Sequence, residues 1–270
     1  MPEGHTLHRL ADDLNRAFAG RALATTSPQG RFADEAARLH GCVLAEAEAW
    51  GKHLFVSFVD VPDQVHVHLG LYGSFVISPG TGRPVVGQVR WRLEGGSTAD
   101  LRGPNACELL TPPEVDAVLA RLGPDPLRPD ADPERAWHRI HRSNVSIAAL
   151  LMDQSVLAGV GNVYRAEVLF RHGVAPMTAG RRIPRVRFDA MWRDLCALMA
   201  VGVERGRIDT VRPEHEPEAM GREPRADDHG GEVYVYRRDD QGCLICGTSI
   251  RRRIVAGRNL FWCPSCQQRG

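Results

Sequence analysis

The chain opens Met1-Pro2-Glu3-Gly4. Removal of the initiator methionine, expected ahead of a small residue, would leave Pro2 as a secondary amine with a carboxylic acid beside it. An α-amine titrates near ~7.7–8.0, so part of the population is an uncharged nucleophile at neutral pH. Amine nucleophiles attack carbonyl-like carbons and form Schiff bases, and an adjacent carboxyl can move the protons. The plain alternative is a frayed, solvated chain end. Of the 34 basic residues only Lys52 is a lysine. An ammonium can lose its proton where a guanidinium effectively cannot, so this one lysine is a second candidate for chemistry.

A third group of reactive side chains lies at the far end. Cys243, Cys246, Cys263 and Cys266 form C-x2-C-x16-C-x2-C. Two thiolate pairs joined by a hairpin-length spacer suit one structural zinc ion held by four cysteines, with no open position for catalysis. Gly247 follows the first pair and Pro264 lies inside the second, as in metal knuckles. Between the pairs stand Arg251, Arg252, Arg253 and Arg258, a basic hairpin suited to phosphate. Cys42, Cys107 and Cys196 are scattered. The odd total of 7 cysteines and the absence of an export signal argue against a disulfide framework.

The net charge of +1 does not by itself announce a nucleic-acid binder, but its distribution is uneven. Residues 173–188 and 243–270 carry arginines without acids, and acids gather in 214–240. No apolar run approaches the ~20 residues of a membrane span. A soluble, intracellular chain is expected.

The elements that must position these groups read as follows. Leu7, Leu10, Leu14 and Phe18 recur at helical spacing over 4–19, directly behind Pro2. The positive end of that helix dipole would lie at Pro2 and Glu3. From 22 to about 110 the chain alternates like short strands punctuated by Gly and Pro, which predicts an antiparallel β-sandwich. A short helix is predicted over 112–120. Residues 123–133, dense in Pro and Asp, are expected to be a hinge linker. Helical patterns follow at 134–140, 146–153, 162–171 and 187–201. Residues 212–231, polar and Pro-rich, are expected to be a mobile loop. The domains are therefore 1–122, a β-sandwich; 134–236, helical; and 237–270, a zinc-bearing hairpin. In the segment LMDQSVLAGVGNVYRAEVLF at 151–170, two glycines lead into a helix with Asn162 expected at its cap, where converging amides suit an anion.

Taken in order, PEG at 2–4, GKHL at 51–54, HLGLYGS at 68–74, the 151–170 segment and GRNLFWCPSC at 257–266 resemble the bacterial formamidopyrimidine-DNA glycosylase/endonuclease VIII family, nearly end to end. The resemblance implies an α+β, multidomain protein. Its N-terminal β-sandwich is opened by a helix, and its C-terminal half holds a helix–two-turn–helix motif and a four-cysteine zinc finger. It implies a monomeric, cytoplasmic, nucleoid-associated bifunctional DNA glycosylase/AP lyase acting on damaged double-stranded DNA, with single-stranded DNA as a second candidate substrate and zinc as its one cofactor. Pro2 matches the nucleophile, Glu3 the acid/base and Lys52 the phosphate-holding lysine. Asn162 and Arg258 match a phosphate clamp, and His68 a further phosphate contact. One family lysine is Ala148 here. Oxidised-purine enzymes carry a PRRF-like segment where this chain has Pro104, Asn105, Ala106 and Cys107. Leu71 and Tyr72 resemble instead the wedge of the endonuclease VIII branch, which favours oxidised pyrimidines. The alternatives are an oxidised-purine enzyme, a silent DNA binder on the same scaffold, or an RNA-binding zinc ribbon. The last leaves the N-terminus and the 151–170 segment without a role.

Overall fold

The computed structural model describes residues 2–226 and 231–268. The chain divides into two compact units, residues 1–121 and 122–270.

The first unit begins with α1 (Gly4–Phe18), whose Leu7, Leu10, Ala11, Leu14 and Phe18 are buried at the expected spacing. Strand β1 (Ala24–Thr26) and helix α2 (Ala33–Leu39) follow. Then come β2 (Leu44–Trp50), β3 (His53–Phe58), β4 (Val61–His68), β5 (Ser74–Pro79), β6 (Val89–Glu94), β7 (Ser97–Arg102) and β8 (Ala106–Leu110). They form two four-stranded antiparallel sheets, ordered β1-β6-β7-β5 and β2-β3-β4-β8. One apolar cluster joins Leu7, Leu14 and Phe18 of α1, Leu54, Val56, Val65 and Val67, and Trp91, Leu93 and Leu101 of the other sheet. Fully buried Trp91 packs its ring against Phe32, Phe58 and Phe75 at 5.7 to 6.5 Å between centroids. On the opposite face of the second sheet, α3 (Pro112–Leu119) covers Phe55 with Val115 and Val118. A capping box between Thr111 and Glu114 starts that helix.

The second unit is helical: α4 (Pro133–His141), α5 (Ile147–Leu150), α6 (Asn162–Arg171), α7 (Arg185–Arg205) and the single turn α8 (Pro217–Met220). It closes with the hairpin β9 (Arg251–Val255) and β10 (Arg258–Trp262). Each residue of 162–170 is buried, so α6 is the centre of this unit.

Two expectations need correction. The Pro-rich stretch is not a solvated tether at its start. Residues 122–126 are buried, Gly123 N–H donates to the Gln154 carbonyl at 2.9 Å, and Ala158 N–H donates to the Pro124 carbonyl at 3.1 Å. Nor is 212–226 without structure. A 3-10 turn at Pro213–His215 leads into α8. His215 Nδ1 bonds the Tyr234 hydroxyl at 2.9 Å, and Arg222 pairs with Glu232 at 2.6 Å. Residues 227–230 of the expected loop lie outside the described residues.

Candidate active site and zinc centre

Helix α1 is fastened to β2 at two points. Gly20 N–H donates to the Leu44 carbonyl at 2.9 Å. The Asn15 carboxamide brackets Ala47, donating to its carbonyl at 2.9 Å and accepting its N–H at 2.7 Å. Moving from Gly20 back to Asn15 thus corresponds to moving from Leu44 forward to Ala47, so helix and strand run antiparallel. From Asn15 to Glu3 the helix covers ~18 Å at 1.5 Å per residue. From Ala47 to Lys52 the strand covers ~16 Å at about 3.3 Å per residue. Pro2 and Glu3 therefore reach the same end of this layer as the turn carrying Lys52. Glu3 is the N-cap residue of α1 and is fully buried; Pro2 is half-buried. Next to them, burial pushes the His5 imidazole down to about 4, which keeps it neutral.

Lys52 stands on a two-residue turn between β2 and β3, flanked by the pair Trp50 and His53. Gly51, the first turn residue, has φ +60°, and Lys52 does not share that positive φ. This is the pattern of a II′ turn, which matches the twist of its strands and needs glycine at the first position. His68 ends β4 opposite His53, with ring centroids 5.0 Å apart. Burial lowers its pKa.

Leu71 and Tyr72 sit on the turn between β4 and β5, closed by Gly73 N–H donating to the Leu69 carbonyl at 3.0 Å. Leu71 is 38% and Tyr72 92% exposed, so neither is spent on the core. The turn needs glycine at 70: φ is +70° and a Cβ there would overlap the Asn105 carboxamide. Asn105 in turn donates its N–H to the His68 carbonyl at 2.8 Å. The stretch that departs from PRRF thus acts here as a brace under the exposed pair. Cys107, in the same stretch, is buried and its thiol pushed up to about 12, which leaves it unreactive.

In the second unit the N-cap of α6 is Gly161, and Asn162 is the first helical residue. The expected cap is therefore off by one. The Asn162 side chain is buried and used internally: its Nδ2 donates to the Asn259 carbonyl at 2.9 Å, and Arg165 donates to its Oδ1. Fully buried Arg165 also reaches the carbonyl oxygens of Val255 at 3.3 Å and Ala148 at 3.4 Å. Val255 and Arg258 flank the hairpin turn at Ala256 and Gly257, both left-handed. This network brings Asn162 and the turn of Arg258 together. Ala148 is fully buried, so no side chain reaches out from that position.

Sequence reasoning missed Arg165 and Glu167. Both are charges inside an apolar helical stretch, and that mismatch was the available signal. The fully buried Glu167 carboxylate accepts the N–H groups of Tyr234, Val235 and Tyr236 at 2.7 to 2.9 Å and the Thr210 hydroxyl at 2.6 Å. It holds the approach to the zinc hairpin against α6.

The four ligand sulfurs of Cys243, Cys246, Cys263 and Cys266 lie within 4.8 Å of one another. Sulfurs about 2.3 Å from a central zinc stand ~3.8 Å apart in a tetrahedron. Cys243 and Cys266 are separated by 3.8 Å, and Cys246 and Cys263 by 3.5 Å. Ile245 N–H donates to Cys243 Sγ at 3.5 Å and Cys266 N–H to Cys263 Sγ at 3.4 Å, which orients both pairs. The Thr248 hydroxyl holds Cys246 down to about 6, while burial pushes Cys263 and Cys266 up. Thiols so close become four thiolates only around a cation. The centre is that of a structural zinc ion.

Comparison with known proteins agrees with this architecture. Residues 1–106 match the formamidopyrimidine-DNA glycosylase N-terminal domain, 122–213 its H2TH domain, and 241–269 the zinc finger found in FPG and IleRS. The chain therefore belongs to the formamidopyrimidine-DNA glycosylase family, whose members are DNA glycosylases and AP lyases of base excision. Within it, the chain is 54% identical to endonuclease 8 1 of Mycobacterium tuberculosis over 99% of its own length and 100% of that protein's. It is 36% identical to endonuclease 8 2 of Mycobacterium tuberculosis over 99% and 100%. A Lactococcus lactis Fpg complex with DNA containing an abasic site shares the fold, with a TM-score of 0.78 at 19% identity over 99% of this chain and 100% of that one. Among the described residues no helix is long and apolar enough to cross a membrane.

Proposed function

We propose that the chain excises oxidised bases, pyrimidines foremost, from damaged duplex DNA through a covalent intermediate on Pro2. In the mature chain the Pro2 nitrogen attacks C1′ of the lesion nucleotide. The C1′–base bond breaks and the base leaves with a proton. Glu3 protonates the sugar ring oxygen, so the ring opens to an iminium ion. The iminium acidifies C2′–H, and β- then δ-elimination break the two phosphate ester bonds. Lys52 and His68 hold phosphate near the lesion. Arg258 grips the backbone from the hairpin, and Asn162, already bonded to the Asn259 carbonyl through one Nδ2 hydrogen, completes the clamp with the other. Leu71 and Tyr72 enter the stack that the flipped nucleotide has left. The enzyme works as a monomer on chromosomal DNA in the cytoplasm.

The observation that carries this reading is the antiparallel pinning of α1 on β2, which gives the Pro2–Glu3 end and the Lys52 turn a common location. The exposure of Leu71 and Tyr72, with Asn105 bracing the turn where a PRRF-like segment would read cytosine, supports the pyrimidine branch. Borohydride trapping on abasic-site DNA tests the chemistry. A covalent adduct is expected with the wild type and none with Pro2→Gly; an equal adduct in the variant removes Pro2 from the reaction. Incision of thymine glycol against 8-oxoguanine duplexes tests the branch, and faster 8-oxoguanine incision assigns the chain to oxidised purines instead.

A further inference from the structure

A chain of polar side chains crosses the sheet beside the Lys52 turn. Register places Phe55, His66 and Glu108 side by side on β3, β4 and β8, with His53 two residues nearer the turn. Glu108 Oε1 lies 2.9 Å from His66 Nδ1, and His66 Nε2 lies 2.8 Å from His53 Nδ1. A carboxylate only accepts, so the His66 proton is on Nδ1. His66 Nε2 and His53 Nδ1 share one hydrogen between them. The two rings stack at 5.1 Å and 17°, and His66 also stacks on Phe55 at 5.0 Å. His66 is buried, whereas the Glu108 side chain is 52% exposed.

We propose that Glu108 and His66 are positioning residues for Lys52, fixing His53 and with it the end of the hairpin that presents the ammonium. His53 is the first residue of β3 and follows Lys52 directly, so its side chain is an anchor beside the turn. Lys52, His66, His68 and Arg121, all bases, act on its charge. Burial pushes His53 down to about 3, so it stays neutral and can be held by hydrogen bonding. Glu108 is the carboxylate that His66 links to it. A phosphate-holding ammonium acts within narrow geometry, and a side chain locked by its neighbours supplies that.

This inference rests on the role of Lys52 proposed above, and the test separates the two. Single-turnover trapping on abasic-site DNA is measured for Glu108→Ala, Glu108→Gln, Lys52→Ala and the Glu108→Ala/Lys52→Ala pair. Glu108 is exposed enough for its variants to fold, and thermal unfolding checks that they do. Glu108→Ala is expected to slow trapping about 5- to 10-fold, as for an orienting group one step removed from the reacting atoms. Glu108→Gln keeps an acceptor oxygen and should stay within about 2-fold. In the Lys52→Ala background the Ala change should have no further effect, because groups acting as a unit are not additive. Affinity for undamaged duplex should be unchanged throughout the Glu108 series. No slowing by Glu108→Ala, equal slowing by Ala and Gln, or the same slowing in both backgrounds overturns the inference alone. A wild-type rate for Lys52→Ala removes the role of Lys52 and the relay with it.

Discussion

Arg165 ends on the carbonyl oxygen of Val255 at 3.3 Å, joining the middle of α6 to the last residue before the turn of Arg258. A fully buried guanidinium is thereby committed to holding a hairpin. Arg165→Ala would leave the Val255 and Ala148 carbonyls and the Asn162 carboxamide without this donor. A loss of about 2–4 kcal/mol in the stability of the second unit is expected, since bonds to charged donors are worth more than neutral ones. Denaturant unfolding with a zinc-finger probe measures it. An unchanged midpoint would show that the network is dispensable.

Glu167 accepts four donors and offers none. In Glu167→Gln one oxygen becomes an NH2 group aimed at N–H or O–H donors. The expected cost is about 1–3 kcal/mol, that of unmade buried bonds. Urea unfolding would report it, and loss of amide protection at Tyr234, Val235 and Tyr236 would locate it.

Zinc removal should act locally. Binding free energy of ~10–16 kcal/mol is typical of small four-ligand sites and is spent on folding the ligand loops. Chelation is expected to melt residues 243–266 and abolish DNA binding while the sandwich signal persists. Affinity that survives complete zinc loss would detach the hairpin from DNA recognition.

The first unit should lose stability in mild acid. His5 and His53 are pushed by burial to about 4 and about 3. Their folded values lie below the unfolded value of ~6.5, so the stabilisation is fully present above that pH. It declines as the unfolded chain takes up protons, and is gone below about 3–4, with each histidine contributing on the order of a few kcal/mol. Unfolding of the first unit between pH 7 and 4 measures the slope, which His5→Gln should reduce. An equal slope in that variant would show that His5 is not responsible.

Tyr72 is 92% exposed. Tyr72→Ala should change stability by no more than about 0.5 kcal/mol, as surface substitutions do. Base excision should fall about 10-fold or more, because stacking on a base is worth ~1–3 kcal/mol. Trapping on a pre-formed abasic site should fall less. Equal losses on both substrates would argue against a wedge.

Much of this was legible in the residues. The 3–4 spacing of Leu7, Leu10, Leu14 and Phe18 and the alternation through 53–68 are local patterns, and the cysteine spacing defines its own geometry. The misread segments depend on partners distant in sequence. Pro124 and Pro126 look like linker residues until they pack, and residues 212–226 take their shape from Glu232 and Tyr234. Asn162 missed the cap by one place because Gly161 adopts the extended N-cap conformation, with φ −120° and ψ −160°. The chain from Glu108 to His53 required strand register, which puts residues 55 places apart into one row.

The II′ turn gives the sole lysine a position at the tip of a hairpin. Selective 15N-lysine labelling would therefore yield a single backbone amide signal, reporting directly from beside the proposed phosphate grip. DNA titrations could be followed there without assigning the remaining spectrum.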